Sequence, residues 1–361
     1  MTRSGCDAAP DLLLVTRNYP PMVGGLERYA ADLYRALSER IEVELLANRV
    51  GLRGVPTFAI RVIWHLLWNR RRYRRVHFAD AALAPVAWLA TAITDVPVTI
   101  STHALDVIYP NALYQWIVPW CLRRLDGVVS VSRYTRDACT ARGVEPDRCR
   151  VIPNGIRVDA SVGESRRGDK EAFLPEGLDG KRVLVTIGRL VRRKGVAWFV
   201  SEVMPRLGEE YVCLVGGAGE QGRVIEQAIA ANGLQRRVFM LGTLDEHHKR
   251  VLLERADLFL MPNIPIRGDA EGFGISAIEA SSRGVPVIAA NMEGLRDAVI
   301  DGVTGRLVAP RDGEAWIEAI STARFDRTEV ARETLLRFDW DRLAGEYLEF
   351  FGITPVQASC T

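Results

Sequence analysis

Glu271-Gly-Phe-Gly-Ile-Ser-Ala-Ile-Glu279 carries the most specific chemical pattern in the chain, two acids bracketing a Gly-Phe-Gly turn. Gly274 opens an apolar helix start, and Glu279 lies one turn in, among Ile275, Ala277, Ile278 and Ala280. A carboxylate in that setting is costly unless it has a partner. It can accept hydrogen bonds from ribose or sugar hydroxyls, or it can serve the helix dipole or a salt bridge. The second pattern is Gly188-Arg189-Leu190-Val191-Arg192-Arg193-Lys194-Gly195. Arg189 and Lys194, on a Gly-bounded loop entering a helix, can grip a diphosphate from two sides, one as a planar fork and one as a point charge. Arg192 and Arg193 read as a solvated basic turn.

Two further patterns sit in the first half. In Tyr19-Pro-Pro-Met-Val-Gly-Gly-Leu-Glu-Arg28, Gly24 and Gly25 start a helix running through Tyr34 and Leu37. Paired glycines there let backbone N–H groups approach a phosphate. The alternative is a turn that needs a positive φ, and the pattern is not G-x-G-x-x-G. In Ser101-Thr-His103-Ala-Leu-Asp106, His103 follows an apolar strand at the end where active sites form. His65, His77, His247 and His248 have weaker settings: a basic helix, the approach to a possible strand, and a polar helix start. Val151-Ile-Pro-Asn154-Gly155 and Val215-Gly-Gly-Ala-Gly219 are Gly-containing turns after strands, able to line a cleft or simply to turn. Ser132 reads as a helix cap. Asp339-Trp-Asp341 is formally a D-x-D, but it belongs to a terminal helix and is not read as a metal site.

The elements that must position these residues alternate along the chain. Leu12–Thr16, Val43–Ala47, Val98–Thr102 and Val128–Val131 read as strands in the first half. Val183–Ile187, Val212–Val215, Val238–Leu241, Leu258–Met261 and Val285–Ala289 do so in the second. They are continuously apolar rather than alternating, as strands covered by helices on both faces are. Strand and helix in alternation predict doubly wound parallel sheets, an α/β fold. The alternation pauses over Asn154–Gly180, rich in Gly and Pro, which reads as a linker; Lys181 then opens a second domain. The expected domains are residues 1–165, joined by a terminal helix at about 339–361, and residues 180–338. Two such domains leave a cleft, with ligands outside the carboxyl ends of the strands.

Composition narrows the function classes. The 361 residues are 48% hydrophobic and 25% charged with a net charge of +2, a folded globular mixture without the basic excess of a nucleic-acid binder. No apolar run reaches the ~18–20 residues of a spanning helix, and the first ten residues lack an apolar signal core. Six Cys with no C-x-x-C and no Cys/His cluster argue against zinc or a disulfide framework.

Taken together, Gly24-Gly25, His103, Ser132, Asn154-Gly155, Gly188-Arg189 with Lys194-Gly195, and Glu271 with Glu279 resemble the retaining glycosyltransferases of family 4. The agreement is in order and spans essentially the whole chain. The resemblance implies the GT-B fold, two Rossmann-like doubly wound domains facing across a cleft, with the segment from about Trp340 crossing back to the first. It implies that Arg189 and Lys194 hold the donor diphosphate, with backbone contacts from Gly24, Gly25 and Gly188. Glu279 would bind ribose hydroxyls. Glu271, with the backbone of Phe273, Gly274 and Ile275, would hold the donor sugar. His103 would lie against the transferred sugar; Asp106 and Asn154 would line the acceptor side. The family typically needs no catalytic metal and no cofactor beyond its nucleotide-sugar substrate. Fixed cations stabilise the charge that develops on the departing diphosphate, and a front-face reaction with retention is expected. The loop Asn263–Ala270 is longer than in many relatives, a departure that bears on donor or acceptor choice.

Thr57–Arg75 stands apart. It mixes Phe58, Val62, Leu66 and Trp68 with a run of Arg, and no acid lies between Glu44 and Asp80. A basic amphipathic helix with Trp suits an anionic membrane surface; a helix of the first domain with an exposed Arg-rich end is the other reading. The expected setting is the cytoplasm or the inner face of the membrane, in bacterial polysaccharide or glycolipid assembly, with a saccharide or lipid-linked acceptor. Rival functions are a GT-B sugar-nucleotide 2-epimerase, a non-catalytic nucleotide-sugar binder, and an NAD(P) oxidoreductase, the last disfavoured by the absence of a G-x-G-x-x-G after a strand.

Overall fold

The computed structural model describes residues 10–22, 24–157 and 173–354, so residues 158–172 of the expected linker lie outside the described residues. The chain divides into two units: Met1–Gly155 with Trp340–Thr361, and Ile156–Asp339.

The first unit runs β1 (Leu12–Thr16), α1 (Gly25–Ser38), β2 (Val43–Ala47), α2 (Val55–Asn69), β3 (Arg75–Phe78), α3 (Ala84–Ile93), β4 (Val98–Thr102), α4 (Leu105–Ile108), α5 (Ala112–Leu122), β5 (Gly127–Ser130), α6 (Arg133–Thr140) and β6 (Cys149–Val151). Its sheet is parallel with strand order β2-β1-β3-β4-β5-β6. Successive residues of β1 serve opposite faces, as the period of a strand requires. Leu13 and Val15 join Phe58, Val62 and Leu66 of α2 with residues of α3 and α5. Leu12 and Leu14 join Leu33 and Leu37 of α1 with Trp340, Leu343 and Tyr347.

The second unit runs β7 (Arg182–Ile187), α7 (Val196–Glu202), β8 (Tyr211–Gly216), α8 (Gly222–Ala231), β9 (Val238–Gly242), α9 (Glu246–Arg255), β10 (Leu258–Met261), α10 (Ile275–Ser281), β11 (Val287–Ala290), α11 (Leu295–Ala298), β12 (Gly305–Val308), α12 (Gly313–Thr322) and α13 (Arg327–Phe338). Its sheet, also parallel, has the order β12-β11-β10-β7-β8-β9. The chain then returns to the first unit through α14 (Trp340–Phe351). Trp340 lies directly against Gly155, where any Cβ would strike the indole ring.

Three strands were not expected: β3, β6 and β12. The expected helix over Thr57–Arg75 is corrected accordingly. It ends at Asn69, and Arg75 begins β3, which pairs with β1 and β4. The Arg side chains that surround Tyr73 point outward, while Tyr73 and Val76 are buried. Strand edges move by one or two residues elsewhere: β5 begins at Gly127, for example, and β11 begins after Pro286, which has no N–H for the ladder. Among the described residues no helix is long and apolar enough to cross a membrane.

Candidate functional site

Both strand orders have a point where the order reverses, and loops at such points form ligand crevices. In the second unit it lies between β7 and β10, where the loop Gly188–Gly195 meets Pro262–Glu271. Gly195 has φ 66°, and a Cβ there would run into the Pro262 carbonyl, so the two loops touch only because this residue is glycine. Ile264 N–H donates to the Arg193 carbonyl at 2.8 Å, locking the contact.

That contact brings Lys194 Nζ to 2.6 Å from Glu271 Oε2, the two residues the sequence had singled out for diphosphate and sugar. Asn263 Nδ2 donates to the same oxygen at 3.2 Å. Burial works to raise the Glu271 carboxyl, but Lys194, Arg193 and the hydrogen bonds from Lys194 and Asn263 outweigh it and hold the group at about 2. Arg193 is not the solvated residue expected: its side chain is only 11% exposed and lies 3.7 Å from Glu271 and 3.5 Å from Asp269. The close packing of the two loops covers it. Arg189 stands in solvent and pairs with no carboxylate among the described residues. Gly188 N–H donates to the Gly216 carbonyl at 3.0 Å, fixing the loop to the end of β8.

The Glu271 backbone is held as well. Its N–H donates to Glu293 Oε2 at 2.6 Å and its carbonyl accepts from Gly294 N–H at 3.1 Å. Glu293 has φ 49°, a left-handed conformation unusual for a residue with a side chain. Burial raises its carboxyl to about 7: the Glu271 N–H lowers it and the Glu271 charge adds to the rise. Phe273 turns its ring inward, edge-on to Phe338 with centroids 5.6 Å apart, so only its backbone faces the loop side. Gly274 at φ 98° caps α10; its carbonyl accepts from Ala277 N–H at 2.9 Å, and the amides of Ile275 and Ser276 come before the first intrahelical acceptor. Glu279 is buried, and Lys249 Nζ reaches its two oxygens at 3.3 and 3.5 Å, so the salt-bridge reading of Glu279 has a definite partner.

In the first unit the reversal lies between β1 and β3, with β4 next to them. His103 Nε2 donates to the Ala79 carbonyl at 3.0 Å, which fixes the orientation of the ring. Asp106, expected on the acceptor side, has both oxygens on backbone amides: Oδ1 on His103 N–H at 2.7 Å and Oδ2 on Ala81 N–H at 2.9 Å. It ties the loops after β3 and β4 together around Ala104, whose φ is 57°. Burial raises the Asp106 carboxyl, opposed by His103 and those two amides. Behind His103, the Tyr29 ring meets it edge-on with centroids 4.5 Å apart. Tyr29 O–H lies 2.7 Å from both Ser101 Oγ and Tyr347 O–H, and Ser101 lies 2.9 Å from His77 Nε2. Burial, with the charges of Arg75 and His103, lowers His77 to about 3 and keeps it neutral. Arg17 Nε donates to Asp80 Oδ1 at 2.7 Å, and Asp80 Oδ2 is buried without a hydrogen-bond partner. Gly24 and Gly25 start α1 in solvent, with the Glu27 carboxylate folded back over Gly24. Asn154 is buried beside Gly155, its Oδ1 also unpartnered.

The structure therefore joins Lys194 to Glu271 and His103 to Asp106, and leaves Arg189 apart. Arg193, Lys249, Glu293, Arg17, Asp80 and Tyr29 escaped the sequence reading because each acts through a partner distant in the chain, and Asn263 because its loop stood out only by its length. Among the described residues no group of three or more His, Cys, Asp or Glu could hold a metal ion.

Comparison with known proteins gives two family matches, Glycosyl transferases group 1 over residues 169–333 and Glycosyltransferase Family 4 over residues 23–160. The chain is 30% identical to a GDP-mannose-dependent alpha-(1-6)-phosphatidylinositol monomannoside mannosyltransferase of Mycolicibacterium smegmatis, covering 86% of this chain and 87% of that one. It is 28% identical to the alpha-maltose-1-phosphate synthase of the same organism, over 94% and 98%. Among solved structures, Anabaena HepE in complex with UDP has a TM-score of 0.76 at 19% identity, over 95% of this chain and 99% of that one. Sucrose-phosphate synthase from Thermosynechococcus elongatus has a TM-score of 0.75 at 21% identity, over 95% and 98%. With both halves matched and a relative at that identity along most of its length, this chain belongs to the family 4 and group 1 glycosyltransferases and has their GT-B fold.

Proposed function

We propose that the enzyme moves a sugar from a nucleoside diphosphate to a saccharide or lipid-linked acceptor with retention of configuration and without a catalytic metal. Its setting is bacterial cell-surface polysaccharide or glycolipid assembly, on the cytoplasmic side. The Lys194–Glu271 pair carries this reading. In the transfer, the bond from the sugar anomeric carbon to the diphosphate oxygen breaks and the bond to the acceptor hydroxyl oxygen forms. The leaving phosphate oxygen takes the acceptor proton in a front-face reaction. Negative charge grows on the diphosphate, and Lys194 with Arg189 supplies fixed cations for it. Glu271 is held ionised, so it accepts from sugar hydroxyls once Lys194 turns to phosphate, and Arg193 stays to balance its charge. Ribose hydroxyls fall to Glu279, as an alternative or addition to Lys249. The backbones of Phe273, Gly274 and Ile275 complete the sugar pocket, and those of Gly24, Gly25 and Gly188 the diphosphate contacts. His103 lies against the transferred sugar. Asp106 positions that loop, and Asn154 lines the same side. The mannosyltransferase relative is named for a GDP-linked donor and a phosphatidylinositol acceptor, and the HepE structure holds UDP; both suit a nucleoside diphosphate here.

Calorimetric titration with UDP, GDP, ADP and NAD, on wild type and Glu279→Ala, tests the reading. One nucleoside diphosphate should bind and be lost in the variant, with its nucleotide sugar then turned over to free diphosphate in the presence of acceptor. Binding of NAD alone would overturn it, and tight nucleotide-sugar binding without turnover on any acceptor would favour the non-catalytic binder.

A further inference from the structure

The solvent side of α2 carries large apolar side chains, as its core side does. Phe58, Val62 and Leu66 face the core, and Ile60, Trp64 and Trp68 follow two residues behind each, roughly 200° round the helix. These three are 69%, 64% and 75% exposed. A helix with large apolar residues on both faces suits a core or lipid, and this one lies at a surface. The exposure continues across its neighbours: α2 packs on α3 and α3 on α5, where Leu89, Leu113 and Trp116 are also exposed. Large apolar side chains exposed together on neighbouring helices mark an interaction surface.

Charge selects the occupant. Exposed Arg61, Arg70, Arg71, Arg72 and Arg74 lie along and just after α2, and no acid occurs between Glu44 and Asp80. Arg71, Arg72 and Arg74 reach Asp95, Glu44 and Asp11 at 3.2–3.6 Å, exposed or half-exposed pairs that hold little. Arg61 and Arg70 face no carboxylate among the described residues. A second copy docked on this face through a two-fold axis would set Arg against Arg, whereas anionic headgroups complement the Arg and the headgroup boundary suits Trp.

We propose that the α2–α3–α5 face of the first unit seats the protein on an anionic lipid bilayer, with Trp64, Trp68 and Trp116 in the headgroup boundary and the Arg cluster on the phosphates. No residue of this face belongs to the donor or His103 constellations, so the surface stands or falls apart from the transferase reading. Only one consequence rests on that reading: α4, which follows His103 directly and packs on α5, would bring the acceptor loop close to the lipid surface.

Co-sedimentation with vesicles of mixed phosphatidylglycerol and phosphatidylcholine, against phosphatidylcholine alone, tests it. Wild type should pellet with the anionic vesicles at low salt and be released by high salt. The double variant Trp64→Ser/Trp68→Ser should bind at least tenfold more weakly, with unchanged melting and nucleotide titration. Arg70→Ser and Arg71→Ser should each weaken binding about fivefold and flatten the salt dependence. Wild type left in the supernatant at low salt, or a double variant that pellets equally, would overturn the proposal. So would a concentration-dependent dimer that the double variant abolishes while vesicles stay unbound.

Discussion

Lys194 and Arg189 share a loop but not an environment, and their substitutions should separate accordingly. Arg189 is exposed and unpaired with any carboxylate among the described residues. Arg189→Ala should lower kcat by roughly 10²–10³ and leave the melting temperature where it was. Lys194→Ala should lower kcat on the same scale and also destabilise, since it strands Glu271 in a buried site with Arg193 as the nearest cation. Wild-type turnover in either variant, measured by release of nucleoside diphosphate, would remove that residue from the mechanism. The neighbouring carboxyls predict a pH signature of two opposite signs. Glu271 sits at about 2 instead of 4.5, so its contribution is complete above about pH 4.5 and is lost as pH falls towards 2. Glu293 sits at about 7 instead of 4.5, so the folded state holds its proton more tightly than the unfolded one. Stability is therefore lost as pH rises from 4.5 through 7. Glu293→Gln keeps an acceptor for the Glu271 N–H and removes that loss. Its melting temperature relative to wild type should rise between about pH 5 and pH 8; a difference that does not change with pH would show that Glu293 does not titrate there.

The loops that carry these residues are held by backbone shape, and Gly195 gives the sharpest test. Gly195 and Gly177 have φ 66° and 76°, so alanine meets a similar backbone penalty at both, about 1 kcal/mol or somewhat more. They differ in surroundings: a Cβ on Gly195 strikes the Pro262 carbonyl, and one on Gly177 meets nothing within 4 Å. Gly195→Ala should destabilise clearly more than Gly177→Ala and also weaken nucleotide binding, because it pushes apart the loops that bring Lys194 to Glu271. Equal unfolding midpoints for the two in urea would mean that the loops yield. How much was legible beforehand follows the same division between local and non-local. Strands such as β1, β8 and β10 announce themselves as nearly continuous apolar runs. β3 does not, because Arg75 opens it and the preceding Arg run disguises its start; β6 and β12 carry Arg150 and Arg306 within three- and four-residue segments. Glu271 and Lys194 could be picked out from their own motifs. Arg193 could not be told from Arg192 until the loop after β10 was seen to cover one and leave the other exposed, and Lys249 meets Glu279 across thirty residues of chain.

At the scale of the whole chain, the first unit is not finished until the last helix is made. Trp340, Leu343, Tyr347, Leu348 and Phe351 are buried in the same core as Leu12, Leu14 and Leu33, and Tyr347 closes the polar network that backs His103 through Tyr29. At roughly 1.5–3 kcal/mol for each large apolar side chain buried, these five amount to on the order of 10 kcal/mol, as much as the net stability of many domains. A chain ended at Asp339 should therefore leave Met1–Gly155 unfolded, while Ile156–Asp339, none of whose described residues joins that core, keeps its own. Limited proteolysis reads this directly: the truncated chain should lose protection throughout the first unit and yield a resistant fragment from the second. Tyr347→Phe in the full chain keeps the apolar contact and removes only the hydroxyl, so it should cost about 1 kcal/mol and leave both units protected. If instead the truncated chain protects its first unit as the full chain does, α14 covers a core that is already stable, and the return of the chain would serve some end other than holding that unit together.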